Sequence, residues 1–188
     1  MRPIKDIAGQ TINALLAKGQ PKAIDTYYAK RFFRSRLEAR WAVFFDALKI
    51  EWDYEREGYE LGGIRYLPDF WLPGVYLRRK ADVGLWVEIK PTVEEMKENE
   101  RKFFILDKPV VVFVGAPPGY DDNRGVEGGF EYRNENIGGY TDSAMRIMQC
   151  RACVDKSINH WSRTQCDCGG VLADWFDEAV EAALSMRF

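Results

Sequence analysis

Apolar and polar positions change period several times along the chain, and each change marks an element. Ile4, Ile7, Ala8, Ile12, Leu15 and Leu16 recur at helical spacing until Gly19 and Pro21 break the pattern. A stronger amphipathic helix is predicted over about 35–48. Leu37, Trp41, Phe44, Phe45 and Leu48 form its apolar stripe, and Ser35 stands three residues before Glu38, the capping-box spacing. After Ile50 the period shortens. Residues 51–56 and 64–72 read as strands, separated by a Gly62-Gly63 turn, and Pro68 in the second suits a bulge or an edge. Pro73-Gly74 reads as another turn, and residues 84–90 as a third strand. Residues 93–106 are helical, with Thr92 as N-cap and Glu94 and Glu95 in the first turn. The unbroken apolar run 109–114 predicts a strand buried on both faces beside parallel or mixed neighbours. Residues 115–145 are rich in Gly, Asn and Asp, with one strand expected near 130–132. A closing helix over about 173–186 should bury Trp175, Phe176, Ala179, Val180, Ala183 and Leu184.

This order predicts an α/β domain with a mixed central sheet flanked by helices. The expected divisions are an N-terminal helical extension at 1–33, the α/β core at 34–145, and a cysteine-bearing element with its closing helix at 146–188. The 188 residues suit one domain with small additions. No apolar run approaches the ~18–20 residues that span a bilayer, and the N-terminal residues lack the apolar stretch of a signal peptide, so a cytoplasmic protein without a membrane partner is expected. The 27 basic and 29 acidic residues give a formal charge of −2, which excludes a globally basic nucleic-acid binder. Within 22–40, however, six basic residues stand against two acidic ones.

Two sets of residues carry candidate chemistry. Asp69 follows Pro68 on one predicted strand, and Glu88 and Lys90 end another close enough to be its hairpin partner. Glu88 and Lys90, two apart, leave one face of their strand, while Val87 and Ile89 leave the other for the core. Neighbouring carboxylates repel unless a cation lies between them. A hard divalent ion such as Mg²⁺ or Mn²⁺ takes one or two carboxylates, water and phosphate oxygen, a combination that serves phosphodiester hydrolysis. Lys90 would orient water or stabilise developing charge. Glu38 could add a ligand directly or through water, and Arg34, Arg36 and Arg40 could draw in a phosphate backbone. Arg78, Arg79 and Lys80, between the two strands, could do the same. The plain alternative is a solvated strand face with cross-strand ion pairs and a Glu38 that only caps its helix.

The second set is Cys150-x-x-Cys153 with Cys166-x-Cys168-Gly-Gly, twelve residues apart, in a chain with no other cysteine. Two close thiol pairs suit a tetrahedral Zn²⁺ site of the zinc-ribbon kind, structural in role. The second pair is one residue shorter than the usual Cys-x-x-Cys, and His160, the only histidine, could replace a thiol.

Pro68-Asp69 with Glu88-Ile89-Lys90, preceded by a helix carrying Glu38 in Ser-Arg-Leu-Glu-Ala-Arg-Trp-Ala, resembles the PD-(D/E)XK nuclease superfamily. Residues 34–118 are similar to small restriction-endonuclease-like proteins of bacteriophages and actinobacteria, with echoes at Tyr54-Glu55, at 66–73, at 86–91 and at 114–117. The resemblance implies a restriction-endonuclease-like fold: helix, three-strand meander, helix, strand. It implies Asp69, Glu88 and the Ile89 backbone carbonyl as ligands of Mg²⁺ or Mn²⁺, Lys90 as the catalytic lysine and Glu38 as the helix acid. Lys102 or Glu98 would be the polar residue that helix 93–106 turns toward the site. The implied activity is metal-dependent endonucleolytic hydrolysis of DNA in a bacterial cytoplasm, with bacteriophages among the sources. A homodimer would suit cutting of both strands, though no feature marks a dimer face. The alternatives are a nucleic-acid-binding protein that uses the same fold without cutting, and a structural or host-interaction protein that has reused it.

Overall fold

The computed structural model describes residues 24–77, 83–106, 109–117, 129–132, 141–153, 155–160, 163, 165–173 and 177–188. The helix expected over 4–17 lies outside them. Within the expected helical extension, residues 26–33 form a β-hairpin, β1 (Thr26–Tyr28) paired with β2 (Arg31–Phe33). Its period is two: Thr26 and Phe33 are buried, whereas Tyr27 and Phe32 face out and touch at 4.9 Å. Ala29 and Lys30 both take positive φ, the geometry of the tight turns that match strand twist. β-branched and aromatic side chains therefore outweighed the helical expectation here.

Helix α1 (Arg36–Ala47) starts where expected. Ser35 accepts from the Glu38 amide at 3.1 Å. Trp41, Phe44 and Phe45 are fully buried, Leu37 and Leu48 partly. Lys49, at φ 54°, ends the helix in the left-handed region. The run expected as one strand over 51–56 shrinks to β3 (Asp53–Tyr54), because Glu55 also takes a positive φ.

The run 64–72 divides. β5 (Ile64–Tyr66) pairs with β4 (Tyr59–Leu61) around Gly62-Gly63, while β6 (Phe70–Leu77) joins the main sheet. Pro68 donates no hydrogen bond and sits in the break. Pro73-Gly74 does not turn the chain. It lies inside β6 where the register to β7 (Val83–Lys90) shifts between Leu72 and Tyr76, a bulge. Gly84 of β7 takes φ +82°, and a Cβ there would lie 2.4 Å from the Trp71 ring.

Helix α2 (Val93–Phe103) is capped by Thr92. Next come β8 (Val110–Val114), parallel to β7, and β9 (Gly129–Tyr132). β10 (Thr141–Cys150) was not foreseen as a strand and runs across the expected boundary at 145/146. β11 (Lys156–His160) and β12 (Leu172–Ala173) both pair with β10. The order is β11-β10-β9-β8-β7-β6-β3, and β11 also pairs in parallel with β6. The mixed sheet thus curls until its ends meet, and the cysteine-bearing element is part of it.

Alternation assigns the two faces. Phe70, Leu72, Val87, Ile89, Val111 and Phe113 pack toward α1, where Trp41 stacks on Phe113 at 4.6 Å. Tyr66, Trp86, Val110, Val112 and Tyr132 pack with Met96 and Phe103 of α2. Helix α3 (Asp177–Ser185) buries Ala179 and Ala183 beside α1, whereas Leu184 is exposed, against expectation. Trp175 and Phe176 lie outside the described residues. The fold is mixed α/β with three helices among those residues, none long and apolar enough to cross a membrane.

Candidate functional site

The register Phe70↔Val87 brings Asp69, just before β6, beside the end of β7. Asp69 is 2% exposed and Glu88 5%. One Asp69 oxygen, Oδ2, accepts from the Ile89 amide at 2.8 Å. The other, Oδ1, accepts from the Arg34 guanidinium, also at 2.8 Å. Glu88 pairs with Lys90 through Oε1 and accepts from the Tyr66 hydroxyl at 3.1 Å through Oε2. Glu38 accepts from Ser35 Oγ at 2.9 Å and from the Tyr54 hydroxyl. Arg34 also pairs with Glu55. Arg34, Glu38, Tyr66, Asp69, Glu88 and Lys90 line a cleft of about 620 Å³, together with residues of the β4–β5 hairpin and Asn99 and Lys102 of α2.

Of the acids Glu38, Glu55, Asp69 and Glu88, Arg34 pairs with Glu55 and Asp69 and Lys90 with Glu88, and Lys102 adds a third cation on the cleft wall, so the acids outnumber the cations. Burial first, then the charges of Glu88 and Glu38, push the Asp69 carboxyl well above the usual carboxylate range against the opposing pull of Lys90 and the Ile89 amide. Burial disfavours the Lys90 ammonium, but Glu88 and Asp69 outweigh it and raise its pKa, so it is charged at neutral pH.

The geometry sorts the sequence-derived residues. Asp69, Glu88, Lys90, Glu38 and Arg34 share the cleft, with Arg34 paired to its acids rather than on an outer basic face. Arg36 is exposed and Arg40 half-buried, and neither lines the cleft. Arg78, Arg79 and Lys80 lie outside the described residues. Of the two α2 candidates, Lys102 lines the cleft and Glu98 does not. Asn99, which holds Lys102 Nζ at 2.9 Å, was not singled out from sequence. Its position three residues before Lys102, one helical turn away, was the available signal. The clamping roles of Tyr54 and Tyr66 were also missed, since each arises from a tertiary contact.

Among the described residues, only the four cysteines gather three or more ligand atoms within 4.8 Å of one another. Their close contacts cross between the two halves: Cys150 to Cys168 at 3.5 Å and Cys153 to Cys166 at 3.7 Å. A disulfide would need about 2.05 Å. A tetrahedron of sulfurs about 2.3 Å from Zn²⁺ has edges of about 3.8 Å, so the set could hold a metal such as zinc. Gly169 turns the chain at φ +83°, and at Gly170 a Cβ would lie 2.6 Å from Cys150 Sγ, which explains the Gly-Gly after a shortened Cys-x-Cys. Hydrogen bonds from the Cys168 amide and then the Tyr76 hydroxyl draw the Cys166 thiol down to about 6. The Asp155 amide pulls Cys153 the same way, but burial and neighbouring hydrogen bonds prevail and push it up to about 12. The His160 backbone lies in β11 opposite Met145.

No protein-family model, curated protein or solved structure matches the chain.

Proposed function

We propose that the chain is a metal-dependent endonuclease of the PD-(D/E)XK type, with a restriction-endonuclease-like core, that hydrolyses DNA phosphodiester bonds in the cleft around Asp69. The observation that carries this reading is the meeting of Asp69 and Glu88 across β6 and β7 with a charged Lys90 against Glu88. The donor set is all oxygen, crowded and short of positive charge, which is what a hard divalent ion requires. Asp69, Glu88 and the Ile89 carbonyl would hold Mg²⁺ or Mn²⁺, with Glu38 reaching it through water. Once bound, the ion supplies Lewis-acid polarisation and a more acidic water.

The chain's own groups do the rest. Lys90 holds a fixed positive charge where the phosphate gains negative charge. Tyr54 and Tyr66 fix the orientations of Glu38 and Glu88 by hydrogen bonds. Arg34 holds the Asp69 oxygen that faces away from the Ile89 amide. Lys102, steadied by Asn99, offers a phosphate contact on the cleft wall.

The test is incubation of the full chain with linear, nicked, branched and single-stranded DNA plus Mg²⁺ or Mn²⁺, beside Asp69→Ala and Lys90→Ala. The expected result is divalent-dependent cutting, reduced by about 10²–10³-fold or more in both variants. Binding without cutting on every substrate and metal would establish the non-catalytic reading, which draws its support from the pairing of both carboxylates by Arg34 and Lys90 in the protein alone.

A further inference from the structure

The curled sheet closes at one short seam. Among the described residues β11 meets β6 at Ser157↔Tyr76 and Ile158↔Leu77, and β11 begins three residues after Cys153. Among the described residues, the buried cluster on the cysteine side is Met148, Leu172 and two of the candidate ligands, Cys150 and Cys166. Tyr76 bridges the parts. It is 4% exposed, its hydroxyl lies 3.5 Å from Cys166 Sγ, and the same phenol hydrogen-bonds Ser157, its fully buried neighbour across the seam. The bulge between Leu72 and Tyr76 resets the register by which Tyr76 meets β7. A buried phenol needs partners, and these two sit on different elements. When Cys166 is a metal-bound thiolate it can only accept, so Tyr76 donates to it and accepts from Ser157.

We infer that the four-cysteine centre is the clasp of the sheet, with Tyr76 as its outer-sphere partner. The metal holds the β10–β11 turn, which carries Cys150 and Cys153, and the Cys166–Cys168 turn together, and the Tyr76 hydroxyl carries that restraint to β6, the strand that starts beside Asp69. Hydrogen-bonding partners of this kind typically change metal affinity 10–100-fold. The inference does not depend on the cleft being a nuclease.

The experiment has two arms on the full chain. In the first, Tyr76→Phe is compared with the unaltered protein by competition for Zn²⁺ with a chromophoric chelator and by the thiolate-to-metal absorption of the Co²⁺-substituted form. The expected result is at least a tenfold loss of Zn²⁺ affinity and a shifted Co²⁺ band, with the fold intact by circular dichroism. In the second, amide hydrogen exchange of the unaltered chain is followed with and without Zn²⁺. Removal should deprotect 76–77 and 157–158 together while the β7–β8 pairing stays protected. The second arm holds whether or not the variant folds. Equal Zn²⁺ affinity and an unchanged band in Tyr76→Phe, a chain that takes up neither ion, or a seam that stays protected without metal would each overturn the inference.

Discussion

The acidic cleft and the cysteine centre are both clusters of would-be ligands, and they are supported in opposite ways. The cleft is backed on both sides by packed layers: fully buried Trp41, Phe70, Leu72 and Phe113 on one face, and Phe103 and Val112 on the other. Its carboxylates are held by Arg34, Lys90, Tyr54, Tyr66 and the Ile89 amide. Among the described residues, the cysteine centre has four buried residues, two of them thiols, and its two halves are joined by a backbone hydrogen bond from Arg151 to Val171 at 2.9 Å. A site with its own core can exist before its ion and release it again. A site whose core is its ligand set takes its order from the metal. On the function proposed above, the cleft would take an exchangeable ion, and the cysteines would hold a resident one.

The sharpest way to break that contrast is to remove one ligand from each. Cys166→Ser should abolish Zn²⁺ uptake and cost about 3 kcal/mol or more, roughly 6–12 °C in melting temperature for a chain of this size. Asp69→Asn should cost less than Cys166→Ser in the metal-free chain: it keeps an acceptor for the Ile89 amide and removes a buried charge facing Glu88 and Glu38, which offsets part of the loss of the Arg34 pair. Equal losses in the two variants, read by calorimetry, would erase the distinction. Gly170→Ala comes next. Its new Cβ would crowd Cys150 and Cys168, so Zn²⁺ stoichiometry per chain should fall well below one without any ligand being altered.

A smaller effect probes the cleft's internal cations. Arg34→Gln leaves Asp69 and Glu55 without their partner and should cost about 1–3 kcal/mol in the absence of divalent ions. Added Mn²⁺ should restore more stability to this variant than to the unaltered chain, and an equal response would mean that Arg34 and the ion do not compete. The smallest effect lies away from both sites. Burial and then its 2.9 Å hydrogen bond to Asp46 raise the Tyr28 phenol from 10.0 to about 12. Because the folded value is the higher, this contribution is complete below pH 10 and lost as pH rises to about 12. Tyr28→Phe should flatten that part of the alkaline stability curve.

Much of this arrangement was legible in the chain. The apolar stripe and Ser35–Glu38 spacing specified α1, the run at 109–114 specified β8, and the Glu-x-Lys alternation set Glu88 and Lys90 apart from the core-facing Val87 and Ile89. What escaped were features settled by competition between elements. The 64–72 run is uniformly strand-like, yet Pro68 interrupts its hydrogen bonding and sends its halves to different sheets. The 26–33 segment reads as part of a basic helical region, yet its aromatic pairs across a tight turn make it a hairpin. β10 lies in a stretch whose start is rich in turn formers, and it is a strand because β9 and β11 flank it.

By itself, then, the sequence determined the mixed α/β class, the helix caps, the alternation that separates the acids from the core, and a thiol set with metal-ligand spacing. These rest on local periodicity and on the chemistry of near neighbours. Only the tertiary structure decided that Arg34 neutralises Asp69, that Tyr54 and Tyr66 clamp two glutamates, and that the cysteine element closes the sheet through Tyr76. Those pairings join residues 16 to 90 positions apart. They depend on strand register and sheet curvature, which no local pattern encodes.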